Sequence, residues 1–337
     1  MVTNDKLQQL KSRLHGKLFF DDLLKSIYAT DGSVYRILPT AVAYPLHEED
    51  IKTLILFAKN EKITLIPRTA GTSLGGQVVG DGIIVDVSKH FTKILAFDEK
   101  NKTVTVQPGV IRDELNDFLK AYGYFFGPDT STTNRCMIGG MVGNNSSGST
   151  SIKYGVTRDK ILSLKTILSD GTTAVFKDLS KSEFIQKTKG NSLENSIYKT
   201  LFTELSLPEV RNEIIKEFPK SNIHRRNNGY AVDDLLNSEV FSASEKQINI
   251  GRLLCGSEGT LAFTTEITVK VDNLPPSQSI MVASHFNSID ESMKAVVVAM
   301  KHNLYMAELM DKTILDCTIN NREQLKNRFF VEGDPKA

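Results

Sequence analysis

The stretch PRTAGTSLGGQ, residues Pro67–Gln77, decides how this sequence is interpreted. It follows the apolar run ITLI at 63–66, which is typical of a short buried strand. Glycines permit positive φ angles, so the backbone N–H groups of such a loop can converge on an anion. Thr72 and Ser73 add hydroxyl groups, and Arg68 adds a guanidinium at the mouth of the loop. The stretch therefore predicts a phosphate-binding loop.

Two common phosphate-binding motifs are excluded by their spacing. Gly71 and Gly76 have the separation of a P-loop, but Gln77 and Val78 stand where that motif requires Lys and Ser or Thr. IGGMVGN at 138–144 lacks the G-x-G-x-x-G spacing of a Rossmann turn, and it follows a loop rather than a strand. The ligand must therefore be held in another way.

Two more glycine-rich stretches occur, GGMVGNNSSG at 139–148 and GSEGTLA at 256–262. Each of the three stretches, taken alone, is equally well explained as a turn-rich surface loop. Three of them within one domain, all at strand or helix ends, favour an extended ligand that carries phosphates and an aromatic ring.

Composition narrows the classes of function. With 41 basic and 40 acidic residues the formal net charge is +1, so no broad field attracts nucleic acid or an anionic membrane. Cys136, Cys255 and Cys317 are far apart, and the histidines are not spaced as a local metal motif, so no metal site is expected. The N-terminus has scattered charges and no signal-peptide core. We predict a cytoplasmic protein without a nucleic-acid partner.

Apolar spacing and turn residues divide the chain into three parts. Residues 1–34 are predicted to be a helical lead-in, with helical spacing over 7–29. Residues 35–274 form the main domain, with subdomains at about 35–90 and 91–274, and LPP at 274–276 marks its end. Residues 275–337 are predicted to begin a truncated substrate or cap domain, because so short a segment buries little core.

The predicted elements combine a βαβ unit with antiparallel hairpins, and we expect an α+β fold. The predicted strands are 42–45, 63–67 and 82–88, hairpins over 94–109 and 161–176, and single strands at 259–271, 279–286 and 305–309. The predicted helices are 48–60, 111–121, 192–204, 208–218 and 290–302. Residues 127–160 show too little apolar periodicity for regular structure.

Five stretches in order and spacing resemble the FAD-binding domain of the vanillyl-alcohol-oxidase-type (PCMH-type) flavoproteins. They are IPRTAGTSLGGQ at 66–77, VQPGV at 106–110, FGPDTSTTNRCMIGGMVGNNSSG at 126–148, KYGVTRD at 153–159 and CGSEGTLAFTTEITVKV at 255–271. Within that group the chain is similar to the N-terminal part of the glycolate oxidase, D-lactate dehydrogenase and D-2-hydroxyglutarate dehydrogenase branch. The resemblance implies a fold of two mixed α/β subdomains that hold FAD, followed by the beginning of an α+β cap.

The resemblance also implies which residues contact the cofactor. The pyrophosphate would lie on Arg68, Thr69, Ala70, Gly71, Thr72 and Ser73, with Gly76 and Gln77 closing the loop. The rest of the trench would be lined by Pro108, Gly109, Pro128, Asp129, Gly139, Gly140, Asn144, Ser147 and Gly148. Tyr154, Gly155, Gly256, Glu258, Gly259 and Thr260 would complete it near the flavin and ribityl chain. Relatives with a covalent flavin often use a histidine in the first loop, and 68–73 has none, so non-covalent FAD is expected.

The activity implied by the resemblance is FAD-dependent oxidation of a D-2-hydroxy acid by hydride transfer to flavin N5. In that branch the carboxylate-binding arginines, the metal-binding histidines and the base follow the point where this chain ends. The catalytic residues are therefore unknown, and the chain is expected to be an N-terminal fragment that is inactive alone. Expected partners are a small 2-hydroxy acid and an electron acceptor outside this chain, an iron–sulfur region or a quinone, with a homodimer as an option.

Two alternatives to a dehydrogenase stay open. The chain could be a non-catalytic FAD-binding or electron-transfer module, or a degenerate relative that binds nothing. Downstream histidines and clustered cysteines in a longer gene would favour the enzyme, whereas a genuine stop codon after Ala337 would favour the module.

Several other polar residues have both a functional and a structural interpretation. His224-Arg225-Arg226 could meet a carboxylate or lie at a solvated helix end, and the structural interpretation is favoured. Cys136 and Cys255 could be reactive, but cysteine is commonly a small buried hydrophobe. Asp233-Asp234 and Glu308 with Asp311 are interpreted as solvated helix faces rather than acid–base pairs, whereas Glu258 is favoured as a flavin neighbour.

Overall fold

The computed structural model describes residues 2–220, 223, 225, 226 and 229–337. Residues 17–86 are organised by a mixed four-stranded sheet in which β2, β4 and β3 are parallel and β1 pairs antiparallel to β2. Its strands are β1 (Lys17–Phe19), β2 (Ala41–Tyr44), β3 (Leu65–Arg68) and β4 (Ile83–Asp86).

The central strand β4 is buried along its whole length because both faces of this sheet are covered. Helix α3 (Glu48–Glu61) presents Ile51 and Leu54 to one face, while Tyr28 and Ile66 pack on the other. In parallel sheets, ligands bind beyond the carboxyl ends of the strands. The 67–77 loop continues from the carboxyl end of β3, so the topology places it where a ligand is expected.

The second sheet is antiparallel, with the order β5-β6-β10-β8-β9. Its strands are β5 (Ile94–Asp98), β6 (Thr103–Val106), β8 (Ile161–Ile167), β9 (Thr173–Lys177) and β10 (Phe263–Lys270), and a separate short pair is formed by β7 (Tyr124–Phe125) and β11 (Asp272–Asn273). Along β10, buried residues alternate with half-buried ones, so one face of the sheet supplies the larger hydrophobic core.

The other helices lie before, between or after the strands along the chain. They are α1 (Asn4–Arg13), α2 (Asp22–Ile27), α4 (Arg112–Lys120), α5 (Ile138–Asn144), α6 (Ser151–Tyr154), α7 (Thr157–Lys160), α8 (Lys181–Lys187), α9 (Leu193–Ser206), α10 (Pro208–Glu217), α11 (Val232–Leu236), α12 (Gly251–Leu254), α13 (Ile289–Ala299), α14 (Lys312–Cys317) and α15 (Arg322–Leu325), with a 3₁₀ turn at Lys326–Arg328. No helix among the described residues combines the length and the apolar character needed to cross a membrane.

The two sheets are joined by apolar side chains of the second sheet that pack into the core of the first, which we call the apolar seam. Ile167 and Phe263 belong to the second sheet but pack into the core of the first. At the edge of the seam, the ammonium of Lys165 lies 2.8 Å from the carboxylates of both Glu48 and Glu266. The seam fixes how the loop after β3 faces the second sheet.

The predicted βαβ unit, both hairpins, the strand over 259–271 and the helices near 48–60, 111–121, 192–204, 208–218 and 290–302 are confirmed within a few residues. The helical interpretation of 7–29 is wrong in its middle, because Leu18 lies at 1% exposure in β1 and extends the first sheet. The domain limits proposed from the sequence stay predictions.

The expectation that 127–160 lacks regular structure is also wrong. Helices α5, α6 and α7 occupy part of it, and Ile138, Met141 and Val142 are buried at helical spacing. These helices are four to seven residues long. Apolar periodicity cannot be recognised over so few positions, especially where glycines interrupt it.

The strands predicted at 279–286 and 305–309 are wrong. In the described part of the chain neither segment pairs with a strand, and Ile280 and Met281 are 93% and 75% exposed. An isolated extended segment leaves its backbone groups to water, so β propensity alone does not make a strand.

Asp50 ties the N-terminal strand to α3. It is 1% exposed, and its carboxylate accepts hydrogen bonds from the backbone N–H groups of His15, Gly16 and Leu46 at 2.8–2.9 Å. Burial by itself would raise the pKa of Asp50, but these backbone donors outweigh it and hold the pKa below its usual range.

We expect Asp50→Asn to lower the free energy of unfolding by about 2–3 kcal/mol, because an amide presents one acceptor oxygen to three donors. The exposed neighbour Glu49 is the control, and Glu49→Gln should change little. The folded-state pKa of Asp50 is lowered, so its contribution is complete above the unfolded pKa of about 3.9 and is lost as pH falls below it. Urea unfolding at pH 7 and pH 3 measures both effects; an equal loss at the two pH values would contradict this account.

Candidate cofactor-binding site

A cleft of about 350 Å³ lies between the loop after β3 and the elements that cover the second sheet. Predicted residues that line it are Arg68, Thr69, Ala70, Gly71, Thr72, Ser73, Gln77, Pro108, Gly139, Gly140, Asn144, Ser147, Glu258 and Gly259. The other lining residues were not predicted as cofactor contacts: Pro67, Leu74, Val78, Val87, Thr130, Ser131, Thr132, Cys136, Met137, Met141, Val142, Gly143, Ser146, Leu254, Ser257, Ala262, Phe263 and Thr264. All three glycine-rich stretches therefore meet at one cleft.

The loop after β3 presents backbone donors that have no protein acceptor. Among the described residues, the N–H groups of 70–73 donate no hydrogen bond to the protein, although these residues are half-buried. The same holds, within the described chain, for the N–H groups of Ser147 and Gly259. Buried backbone donors are rarely left unpaired, and a set of them that lines one cleft is suited to an anion. A diphosphate fits this donor set.

The lining combines these donors with hydroxyl groups and an apolar side. Thr132 donates to the hydroxyl of Thr72 at 3.3 Å, which joins the loop after β3 to the opposite wall. The apolar lining residues include Val78, Met141, Val142, Leu254 and Phe263. One region of the cleft is thus suited to phosphates and another to an aromatic ring, as a flavin dinucleotide requires.

Arg68 holds the loop after β3 to the segment that precedes β2. Its guanidinium donates to the carbonyl of Thr30 at 2.9 Å and lies 5.0 Å from the centre of the Tyr28 ring, and burial lowers its pKa. Gly32 donates its N–H to the carbonyl of Gly71 at 2.8 Å. The contacts of this guanidinium hold the loop to the segment before β2. Its expected direct contact with a phosphate stays a prediction.

Tyr28 is itself fixed beneath Arg68. Its hydroxyl donates to the buried carboxylate of Asp86 at 2.5 Å, and burial followed by this hydrogen bond raises the pKa of Tyr28 well above its usual range. The tyrosine therefore stays neutral and keeps the proton that it donates to Asp86.

Close backbone approach shapes the wall opposite the loop. An added Cβ on Gly140 would lie 2.6 Å from the hydroxyl of Thr69. Gly259 has φ +77°, and an added Cβ there would lie 2.9 Å from Cγ of Pro67. At both positions a side chain would occupy the narrow space between the two halves of the cleft.

Two buried arginines that the sequence analysis missed organise the loops behind the cleft. Arg112 donates to the carbonyls of Pro128 and Phe126 at 2.6 and 3.2 Å. Arg158 donates to the carbonyl of Cys255 through Nε and Nη2, at 3.2 and 2.6 Å, and to that of Arg252 at 3.0 Å. Arg158 lies within the quoted KYGVTRD stretch, so its motif position was a signal, but its partners lie about a hundred residues away.

The remaining predicted ligands lie outside the lining and support it. Asp129 accepts hydrogen bonds from the hydroxyls of Ser149 and Thr150, and Tyr154 packs between Phe125 and Tyr305. The others hold the backbone of the loops or the turns beside them: Gly76, Gly109, Pro128, Gly148, Gly155, Gly256 and Thr260. A direct contact between these residues and a cofactor stays a prediction.

Most of the other candidate residues are buried or paired with other groups of the protein. Cys136 and Cys255 are buried, and burial raises both thiol pKa values, that of Cys255 to about 12. Asp233 pairs with Arg226 and Asp234 with Lys246, so neither carboxylate stands on a solvated face as predicted. His224 lies outside the described residues. Glu258 lines the cleft and accepts from the amide of Gln77 at 3.4 Å.

The comparison with protein families decides the ligand class. A family described as FAD binding domain matches residues 39–177, which contain the loop after β3 and the α5 wall of the cleft. Residues 39–177 are a FAD-binding domain. The predicted PCMH-type resemblance and the FAD cofactor are thereby confirmed.

Curated relatives extend the similarity beyond the FAD-binding domain. The chain is 33% identical to D-2-hydroxyglutarate dehydrogenase of Escherichia coli (strain K12) over 291 residues, which cover 86% of this chain and 28% of the relative. It is 35% identical to glycolate oxidase subunit GlcD of Bacillus subtilis (strain 168) over 175 residues, 51% of this chain and 37% of the relative. The chain spans little more than a quarter of the length of the D-2-hydroxyglutarate dehydrogenases that it matches.

Solved structures share the fold. Alkyldihydroxyacetonephosphate synthase aligns with a TM-score of 0.61 at 17% identity, over 95% of this chain and 50% of the synthase. Physcomitrella patens BBE-like 1 aligns with a TM-score of 0.51 at 17% identity, over 79% and 44%. The predicted α+β flavoprotein fold is confirmed.

We expect Gly259→Ala to weaken FAD binding at least tenfold, because the added methyl group meets Pro67 inside the cleft and the positive φ adds strain. Gly123→Ala is the matched control: Gly123 has φ +82°, and its added Cβ meets nothing within 4 Å. Titration of FAD fluorescence on each variant compares them. Equal loss of affinity in both variants would show that backbone strain alone, and not the cleft, is responsible.

We expect Arg158→Lys to lower the free energy of unfolding by about 2–4 kcal/mol, because one ammonium cannot replace a fork that reaches two carbonyls. Arg13→Lys on the exposed end of α1 serves as the control and should be neutral. Urea unfolding followed by circular dichroism gives both values. A loss below about 0.5 kcal/mol, the usual range for surface changes, would contradict the assigned role.

Proposed function

We propose that this chain is the FAD-binding part of a flavin-dependent oxidoreductase that oxidises a D-2-hydroxy acid, such as 2-hydroxyglutarate, lactate or glycolate. The observation that carries the proposal is the set of N–H groups at 70–73, 147 and 259 that line one cleft and have no acceptor among the described residues. Support for the substrate class comes from relatives named D-2-hydroxyglutarate dehydrogenase, glycolate oxidase subunit and D-lactate dehydrogenase.

The roles proposed for the lining residues follow from their chemistry. The donors of 70–73 neutralise a diphosphate, and the hydroxyls of Thr72 and Ser73 add further hydrogen bonds. The apolar side formed by Val142, Leu254 and Phe263 receives the flavin ring and excludes water from one of its faces. When bound, FAD supplies the hydride acceptor.

The chain's own lining residues offer little acid–base chemistry. Among the described residues that line the cleft, the titratable side chains are Arg68, Cys136 and Glu258. Burial raises the pKa of Cys136, and Arg68 is engaged with carbonyls. We therefore assign no catalytic base, and we propose that substrate binding, proton transfer and the electron acceptor involve residues outside this chain.

A non-catalytic FAD-binding or electron-transfer module is the second candidate. The observation that favours it is the same scarcity of acid–base groups in the described lining. The two candidates share the cofactor and differ in whether a hydroxy acid can reduce it once the residues outside this chain are present, so reduction of the flavin separates them.

The test begins with the visible absorption spectrum of the purified chain, before and after acid precipitation and after addition of FAD. We expect a yellow protein that releases its flavin into the acid supernatant, which would support non-covalent binding. If the chain is isolated without flavin, FAD at a hundred times its Kd should stabilise it by about 2.7 kcal/mol. A colourless chain that gains no thermal stability from FAD would overturn the proposal.

The same sample distinguishes the enzyme from the module. Under anaerobic conditions, D-2-hydroxyglutarate, D-lactate or glycolate should bleach the flavin absorption of an active dehydrogenase, and L-2-hydroxyglutarate is the control. Bleaching by none of them, in this chain and in a longer form that continues beyond Ala337, would favour the module. A cytoplasmic location and self-association into a homodimer belong to the proposal as well, and fractionation and light scattering test them.

A further inference from the structure

The turn at 256–260 has an unusual backbone for a segment that carries a ligand-facing N–H group. Gly256, Glu258 and Gly259 all have positive φ, at +98°, +53° and +77°. Glu258 is not glycine, so its conformation costs about 1 kcal/mol or more. A turn of this kind keeps its shape only where neighbouring groups hold it.

The inner side of the turn is held by α5. Gly256 donates its N–H to the carbonyl of Val142, and Glu258 donates to that of Gly143, both at 2.9 Å. These two bonds leave the N–H of Gly259 facing the cleft, without an acceptor among the described residues. They do not reach Thr260, which closes the turn on its outer side.

The outer side is held by a short chain of hydroxyl groups. Thr260 donates both its N–H and its hydroxyl to the carbonyl of Ser257, at 3.0 and 2.6 Å. The hydroxyl of Tyr230 lies 2.7 Å from Oγ1 of Thr260. Since the single hydroxyl proton of Thr260 is committed to Ser257, Tyr230 is the donor in this contact.

Tyr230 is positioned independently of the cleft. The next residue, Ala231, is 3% exposed, and Val232 donates its N–H to the carbonyl of Tyr230 at 2.8 Å. Helix α11 follows directly and is anchored by the ion pairs Asp233–Arg226 and Asp234–Lys246. These contacts fix the backbone that carries Tyr230, so its hydroxyl is held beside the turn.

We propose that Tyr230 is a positioning residue for the cofactor site. Through Thr260 it holds the 256–260 turn in the conformation that presents the N–H of Gly259 and the carboxylate of Glu258 to the cleft. Neither Tyr230 nor Thr260 lies within the 39–177 match to the FAD-binding family. The inference rests on the proposed function, because the affinity that Tyr230 tunes is the affinity for FAD.

The test measures the Kd for FAD, from flavin fluorescence, on the whole 337-residue chain and its variants. Tyr230→Phe keeps the ring and loses the hydrogen bond, so we expect affinity to fall about 3- to 10-fold. Thr260→Val should lose at least as much, whereas Thr260→Ser, which keeps the hydroxyl, should stay within about twofold of the original chain. The decisive comparison is Tyr230→Phe made in the Thr260→Val background, where it should have no further effect.

Two controls separate positioning from general stability. Tyr122 is 45% exposed and Tyr230 is 43% exposed, so Tyr122→Phe removes a comparable hydroxyl away from the cleft and should leave the Kd unchanged. The melting temperature of the FAD-free chain should be the same for the original and for Tyr230→Phe.

These measurements distinguish a failure of FAD binding itself from a failure of the role proposed for Tyr230. If the original chain binds no FAD, the proposed function fails and this inference fails with it. If the original chain binds FAD and Tyr230→Phe binds equally well, or weakens binding to the same extent with and without Thr260→Val, then only the role of Tyr230 through Thr260 is overturned. A lower melting temperature with unchanged Kd would show a purely structural role.

Discussion

The buried guanidinium of Arg158 is the contact on which the architecture of the cleft depends. Its side chain binds the carbonyls of Arg252 and Cys255, and its own N–H donates to the side chain of Asn145, which ends α5 in a left-handed conformation. Three distant segments of sequence therefore meet at one residue. A charge that is 6% exposed is costly to bury without hydrogen-bond partners, so the packing that supplies these carbonyls is strongly favoured.

The same chemistry explains why donors, rather than acceptors, are left facing the cleft. A guanidinium has five N–H groups and no acceptor, so it can satisfy only carbonyl oxygens. Arg68, Arg112 and Arg158 each take up carbonyls of segments beside the cleft. Because these carbonyls accept hydrogen bonds on the side away from the cleft, the loops can direct their N–H groups into the cleft. Positive side chains thus help to build an anion site without having to touch the anion.

The sequence was sufficient to locate the site but not the interactions that support it. The 67–77 loop could be recognised because glycine spacing is local, and the strand before it is a continuous apolar run. Arg112 and Arg158 could not be assigned, because their carbonyl partners lie 14 to 97 residues away and every residue has a carbonyl. Asp129 contacts Ser149 and Thr150, and Tyr154 contacts Phe125 and Tyr305, which the motif did not indicate, while their contact with the cofactor stays a prediction. A motif identifies the neighbourhood of a residue more reliably than the direction of its side chain.

The apolar seam between the two sheets determines how much a ligand must reorganise the protein. Ile167 and Phe263 are 1% and 5% exposed in a core that is otherwise built from the first sheet, helices α1 and α3 and the segment after β4, and Phe263 also lines the cleft. Separating the halves would expose these side chains at a cost of about 1.5–3 kcal/mol each. Ions at the rim, such as Lys165 with Glu48, add less because they are partly solvated. The two walls are therefore held at their separation by packing before any ligand arrives, and the free energy of binding is not spent on bringing them together. The loop after β3 and the 256–260 turn are held by only a few local contacts, from Arg68 and from the proposed Tyr230–Thr260 pair, which is why small groups that hold these two segments can control the affinity of the whole cleft.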